Sequence, residues 1–123
     1  MINSINHVAL IVSSDEALDF YRKLGFKETS RTPRPEKNDI LVMMENKTAV
    51  LEVFIREDAP LRLCDPEAYG CRHIAFDVDD LEEILETLKD YECQKIRVSD
   101  TGQRFVFISD ADHQPVEFLE KMK

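Results

Sequence analysis

Two histidines and two glutamates recur at matching positions in the two halves of this sequence. His7 and Glu52 are 45 residues apart, and His73 and Glu117 are 44 residues apart. Imidazole nitrogens and carboxylate oxygens together suit zinc, nickel, manganese, cobalt or iron(II). If the two halves pack with pseudo-two-fold symmetry, the four side chains converge on one point, and the spacing then predicts one divalent metal ion.

The two glutamates are the more informative members of this set. Glu52 lies in the apolar run 49–55, and Glu117 lies in the apolar run 116–119. A carboxylate in such a strand is costly to desolvate unless a cation or a hydrogen-bond donor compensates its charge. His113 has no counterpart in the first half and sits in a polar turn, so we interpret it as a surface residue.

The first half contains the elements needed to position its histidine and glutamate. Hydrophobic periodicity predicts a strand over 6–12 and an amphipathic helix that stops at Gly25. Ser13, followed three residues later by Glu16, has the spacing of a capping box. The remainder is interpreted as a polar loop over 32–39 and strands over 40–45 and 48–55.

The second half repeats this order of elements. It predicts a strand over 72–78, a helix with Asp79–Asp80 at its N-cap, and strands over 95–98, 104–109 and 115–119. The sequence therefore predicts an α+β fold of two βαβββ modules, with a concave, barrel-like mixed sheet and the helices outside. We expect one domain over 1–123, made of module 1–57 and module 71–123 joined by linker 58–70.

Composition excludes several classes of function. The chain has 123 residues, a net charge of −9 and three cysteines without C-x-x-C spacing. The charge disfavours nucleic acid and anionic membrane surfaces, and the cysteines favour neither a disulfide framework nor a thiolate zinc site. No apolar run approaches the length of a secretory signal or a membrane helix, so we expect a soluble cytoplasmic protein.

Four segments resemble the vicinal oxygen chelate superfamily, which includes glyoxalase I, bleomycin-resistance proteins, fosfomycin-resistance enzymes and extradiol dioxygenases. They are residues 20–26, 70–76, 103–107 and 110–118, and the resemblance extends over nearly the whole chain. It implies that the metal ligands are His7, Glu52, His73 and Glu117. It also implies a homodimer, in which the ligands of one site come from one chain or from two.

The implied chemistry is that of a metal-dependent lyase or isomerase of glyoxalase I type. One divalent ion (nickel, zinc, manganese, cobalt or iron) would bind the vicinal oxygens of a small substrate and stabilise an enediolate. The resemblance favours Glu117 as the base that moves the proton, with Glu52 as the symmetry-related alternative.

Three departures from the family pattern argue against glutathione as part of the substrate. Glutathione-using glyoxalases have an arginine four residues after the first histidine and an asparagine four residues after the first glutamate. This chain has Ile11 and Arg56 there, and it lacks the longer loop between the halves. Arg56, Arg72 and Arg104 are cations that could instead meet a carboxylate or phosphate of another substrate.

The main alternative is a metal-free protein of bleomycin-resistance type that sequesters a small molecule, and the acidity of the chain would suit a cationic ligand. A ring-cleaving dioxygenase is disfavoured because its two-histidine, one-carboxylate triad leaves three open positions, one of which Glu52 would close. Epimerase chemistry and a purely structural metal are also compatible with the sequence.

Overall fold

Apolar strands of the first half assemble into a four-stranded mixed sheet. The computed structural model describes residues 1–123 and divides into unit 1, Met1–Pro60, and unit 2, Leu61–Lys123. The elements of unit 1 are β1 (Val8–Val12), α1 (Asp19–Lys23), β2 (Lys27–Arg34), β3 (Asp39–Glu45) and β4 (Val50–Ile55). The strand order is β1-β4-β3-β2, with β1 parallel to β4 and the other neighbours antiparallel.

Unit 2 has the same order of elements and the same pairing. Its elements are β5 (Ile74–Val78), α2 (Leu81–Thr87), β6 (Arg97–Val98), β7 (Arg104–Ser109) and β8 (Pro115–Glu120). The strand order is β5-β8-β7-β6, and β5 is parallel to β8. The predicted α+β class with two βαβββ modules is therefore confirmed. Neither helix is long and apolar enough to cross a membrane.

Each sheet buries one face and leaves the other partly exposed, because successive side chains of a strand point to opposite sides. In unit 1 the buried sheet residues are Val12, Val42, Met44, Leu51 and Val53. They form the core together with Ala17, Leu18, Phe20, Tyr21 and Phe26, from α1 and its flanking residues.

The core of unit 2 follows the same rule. Its buried residues are Leu81 and Leu88 around α2 and Val106, Ile108, Val116 and Phe118 in the sheet. Since α2 lies against β7 and β8, the helix covers this face. The opposite face of each sheet, called here the open face, carries the residues of alternate parity.

Two predictions about unit 1 are wrong. The N-cap residue is Asp15 and not Ser13, because the chain enters α1 through a 3-10 turn at Glu16–Leu18, in which Ala17 N donates to Ser14 Oγ. The predicted loop over 32–39 is shorter, because β2 continues to Arg34. Pro33 is tolerated there because β2 is an edge strand, where a missing N–H costs no ladder hydrogen bond.

The turns and caps at the ends of the helices and strands are formed by the residue types expected at such positions. Gly25 follows α1 with a φ of 92°, a conformation that glycine adopts without steric cost. Asn46 Oδ1 accepts from the backbone N–H groups of Thr48 and Ala49 in the turn between β3 and β4. Asp80 caps α2, because its carboxylate accepts from Glu82 N at 2.9 Å.

We predict that Asp80→Ala lowers the free energy of unfolding by about 1 kcal/mol, because the N–H groups that Asp80 caps lose their acceptor. Urea denaturation at pH 7 measures this loss. Asp79→Ala is the matched control, since it removes the same charge from the neighbouring exposed position. Equal losses in the two variants would show that charge, and not capping, causes the effect.

Candidate metal centre

In unit 1 the parallel ladder places the first histidine and glutamate on one face. β1 and β4 are aligned with Ala9 beside Glu52, and His7 precedes Ala9 by two residues. His7 Nε2 consequently lies 3.8 Å from Glu52 Oε1. The small side chain of Ala9 leaves the space beside the carboxylate open on this face.

The hydrogen bond to His7 determines which ring nitrogen carries its proton. Nδ1 lies 2.8 Å from Oδ1 of Asn6, and a carbonyl oxygen only accepts, so Nδ1–H is the donor. In the neutral ring, Nε2 then presents a lone pair toward Glu52. A neutral histidine with a free Nε2 lone pair is the form that ligates a metal. The Asn6 amide oxygen accepts a hydrogen bond from the other ring nitrogen and so orients the ring, as the hydrogen-bond partner of a metal-bound histidine does.

Unit 2 has the same arrangement with a shorter separation. Ala75 is aligned with Glu117 between β5 and β8, and His73 precedes Ala75 by two residues. His73 Nε2 lies 3.2 Å from Glu117 Oε1. The edge of the Phe107 ring packs on the imidazole, with the ring centroids 4.9 Å apart, and this contact restricts the rotation of His73.

The protonation of His73 is opposite to that of His7. Arg72 Nη1 lies 3.1 Å from His73 Nδ1, and a guanidinium only donates, so Nδ1 is the acceptor. Neutral His73 therefore carries its proton on Nε2 and donates it to Glu117. Ligation through Nε2 requires this proton to leave and Arg72 to release Nδ1.

The chemistry of the two pairs fits a divalent metal. Two donors that each lie about 2.1 Å from a metal can be at most about 4.2 Å apart, and both pairs satisfy this bound. The carboxylate side chains of Glu52 and Glu117 are 26% and 17% exposed, and each has its histidine as its one close partner. Most of their lone pairs are therefore free to accept a cation.

An arginine and a phenylalanine stand next to the pair of unit 1. The Arg34 guanidinium lies over the Phe54 ring, 4.7 Å from its centroid. It also forms a bidentate pair with Asp39, with both N–O distances 2.7 Å. This hydrogen-bonded pair holds the pKa of Asp39 below its ordinary range. The charge of Arg34 is therefore neutralised within the unit.

The other arginines proposed from the sequence have different surroundings. Arg104 does not belong to the open face: it shares the helix-facing side of β7 with Val106 and binds Glu82 and Glu120 at 2.6 and 3.1 Å. Arg56 pairs with Asp58 and donates to the Lys37 carbonyl. Both are committed to protein partners.

A cluster of three carboxylates, Asp80, Glu82 and Glu120, was not singled out in the sequence. Each has a protein partner: Asp80 caps α2, Glu120 accepts from Leu81 N, and Arg104 binds Glu82 and Glu120. Glu120 also lies on the opposite face of β8 from Glu117, because the two differ by an odd number of positions. We therefore assign the cluster a structural role at the start of α2.

The sequence interpretation missed two aromatic residues and one arginine on the open face of unit 2. Phe105 and Phe107 alternate along β7, and Arg97 of β6 is aligned with Phe105. The alternation of side chains along the strand 104–109 predicts that the two phenylalanines share one face. No local signal gives the register of the two-residue strand that places Arg97.

Comparison with known proteins finds a matching family model and similar proteins. Residues 4–118 match the model of the Glyoxalase/Bleomycin resistance protein/Dioxygenase superfamily. The uncharacterized protein YwkD of Bacillus subtilis is 38% identical over 127 residues, covering 98% of this chain and 99% of its own length.

Solved structures show the same fold. The glyoxalase family protein from Enterococcus faecalis has a TM-score of 0.87 and 38% identity, over 95% of this chain and 97% of that one. The trypanothione-dependent glyoxalase I of Leishmania major has a TM-score of 0.75 and 21% identity, over 97% of this chain and 87% of that one. At that identity the likeness concerns the fold alone.

The Arg34–Asp39 pair leads to a pH-dependent prediction. Since the pKa of Asp39 is lowered in the folded chain, its stabilising contribution is complete above the ordinary value of about 4 and is lost as pH falls below it. The difference in unfolding free energy between wild type and Asp39→Asn should be constant from pH 7 to 5 and shrink below pH 4. Urea denaturation across this range measures it, with the exposed Asp90→Asn as control. A difference that does not change with pH would contradict the prediction.

Proposed function

This chain belongs to the Glyoxalase/Bleomycin resistance protein/Dioxygenase superfamily, and from that premise we propose that it is a metal-dependent lyase or isomerase of glyoxalase I type. Its substrate is a small molecule with two neighbouring oxygens. His7, Glu52, His73 and Glu117 are the four ligands of one divalent ion, supplied by one chain or by two chains of a homodimer.

One observation carries this proposal: each unit pairs a histidine and a glutamate in the same register on its open face. The pairing occurs twice, with Ala9 beside Glu52 and Ala75 beside Glu117. A structural role for a single pair would not require this repetition. Four donors of matched type are what a shared ion requires.

The residues of unit 2 are better suited to proton transfer than those of unit 1. When bound, the ion supplies Lewis acidity that polarises a substrate carbonyl and makes the adjacent C–H more acidic. Glu117 is the less exposed of the two carboxylates, so water competes less for its oxygens. One of its oxygens removes the proton from the carbon beside the carbonyl and returns it to the neighbouring carbon, which leaves the overall oxidation state unchanged.

The two positions that diverge from glutathione-using enzymes also differ in structure. Ile11 is apolar and 59% exposed, so it offers no donor to a peptide carboxylate. Arg56 is bound to Asp58 and the Lys37 carbonyl. These surroundings favour a substrate without a glutathione group.

The second candidate is a metal-free protein that sequesters a cationic molecule. The net charge of −9 supports it. The open face of unit 2 opposes it, because the Phe105 and Phe107 rings there carry Arg97, which has no carboxylate partner. A cationic ligand stacked on those rings would meet positive charge.

We predict about one tightly held divalent transition metal per chain in tag-free protein. Glu52→Gln and Glu117→Gln should each lower this content, because an amide oxygen is a neutral and weaker donor than a carboxylate. Elemental mass spectrometry after incubation with nickel, zinc, manganese or iron(II) measures it.

Two control variants make the metal measurement specific. Glu86→Gln on α2 and His113→Gln remove the same donor types outside the proposed set, so the metal content should stay at the wild-type level. A wild-type protein that takes up none of the four metals would overturn the enzyme proposal and favour the sequestering protein.

The proton-transfer step predicts isotope exchange. Metal-loaded protein in D₂O should exchange the C–H beside the carbonyl of a hemithioacetal, a 2-oxo acid or a 2-hydroxy acid, as followed by NMR. Glu117→Gln should slow this exchange by roughly 10²–10⁴-fold, and more than Glu52→Gln does at equal metal content. A larger effect of Glu52→Gln would identify that residue as the base.

A further inference from the structure

A cleft in unit 2 borders the His73–Glu117 pair. Its volume is about 270 Å³, and Phe107 forms part of its wall. The same phenylalanine packs on the His73 imidazole. Three arginines (Arg62, Arg72 and Arg97) and two glutamates (Glu67 and Glu92) line the cleft. A molecule held at His73 therefore has a cleft with more basic than acidic side chains within reach.

Arg97 differs from every other arginine of the chain. Seven of the eight form a salt bridge with a carboxylate, namely Arg22, Arg31, Arg34, Arg56, Arg62, Arg72 and Arg104. The single hydrogen-bond partner of Arg97 is the side-chain oxygen of Gln94, at 3.3 Å. In a chain with 25 acidic and 16 basic residues, an arginine without an acidic partner is conspicuous.

Two aromatic rings hold the Arg97 guanidinium in place. Its central carbon lies 5.3 Å from the Phe105 centroid and 5.7 Å from the Phe107 centroid. Aromatic contacts of this kind occupy the face of the guanidinium and leave N–H groups at its edge for a planar oxyanion. The position is fixed in the sheet, because Arg97 is aligned with Phe105 between β6 and β7.

The other two arginines of the cleft share one carboxylate partner. Glu67 lies 2.9 Å from Arg72 and 3.6 Å from Arg62. Arg62 also donates to the Arg72 carbonyl at 2.9 Å. These contacts shape the wall of the cleft, and Arg97 is the arginine of the cleft that has no carboxylate partner.

We propose that Arg97 binds an oxyanion group of the substrate, a carboxylate or a phosphate, while the vicinal oxygens of the same molecule are held beside His73. This inference rests on the proposed function and narrows its substrate class to small anionic oxygenated molecules. Arg97 and His73 contact the same Phe107 ring, so a short chain of atoms connects the two binding groups.

The first experiment uses inorganic phosphate and the full chain without added metal. Phosphate titration followed by calorimetry at low ionic strength should show binding that Arg97→Gln weakens by roughly tenfold or more, the range for a charge-assisted bidentate contact. Arg97→Lys should retain part of the affinity, because it keeps the charge and loses the fork geometry. Lys89→Gln, which removes one charge just beyond the C-terminal end of α2 and outside the cleft, should bind like wild type.

The second experiment uses zinc-loaded protein and a matched pair of chelators. Acetohydroxamate presents two vicinal oxygens and no anionic tail, and succinohydroxamate adds a carboxylate to the same chelating group. Wild type should prefer succinohydroxamate by roughly tenfold. Arg97→Gln should remove the preference and leave acetohydroxamate binding unchanged. A hydroxamate with a phosphonate tail identifies which of the two oxyanions is favoured.

The outcomes separate this inference from the proposed function. Equal binding of the two chelators to wild type, with phosphate binding unaffected by Arg97→Gln, would overturn the role of Arg97 and leave the metal centre intact. Failure of both chelators to bind, with phosphate binding that depends on Arg97, would support the oxyanion site and overturn the metal centre. A loss of chelator preference in Lys89→Gln would show that the effect is one of net charge and would also overturn the inference.

Discussion

In each unit the first strand runs parallel to the last, and the position of every candidate ligand follows from that pairing. Ala9 lies beside Glu52, and Ala75 lies beside Glu117, so the histidine two residues earlier shares the face of the glutamate. A slip of one residue would turn the carboxylate toward the apolar core, where an uncompensated charge costs on the order of several kcal/mol. The apolar core therefore determines the register between the first and last strands of each unit, and this register determines where the histidine and glutamate side chains lie.

Within this common frame the two pairs are chemically unequal. His7 is already in the tautomer that ligates through Nε2, because Asn6 accepts from its Nδ1. His73 is in the opposite tautomer, because Arg72 donates to its Nδ1. Binding of the proposed metal through His73 Nε2 would therefore require Arg72 to move, whereas binding through His7 Nε2 would require no such rearrangement.

The parts of the site that could be predicted are those that local patterns encode. Strand parity and the repeated spacing were enough to select Glu52 and Glu117 as companions of the two histidines, because alternation has a fixed period and the repeat doubles the signal. The end of β2 was predicted too early because of Pro33. A proline ends a central strand but is tolerated in an edge strand, and the sequence alone does not show that β2 lies at an edge. Arg97 was missed because its contact with Phe105 depends on the register of a strand only two residues long.

The net charge of the chain is negative, whereas the cleft beside His73 contains three arginines and two glutamates, and the structure gives the reason for the difference. The excess of acidic residues is spread over the exposed surface, where water screens it and it acts mainly on solubility. On the open faces, aromatic rings hold arginines in place: Arg34 lies over Phe54, and Arg97 lies over Phe105. The charge of an arginine held in this way acts on a bound molecule at short range. Asp39 cancels the charge of Arg34, and no carboxylate cancels that of Arg97. Local neutralisation, rather than the net charge of the chain, therefore decides which charge a bound ligand meets.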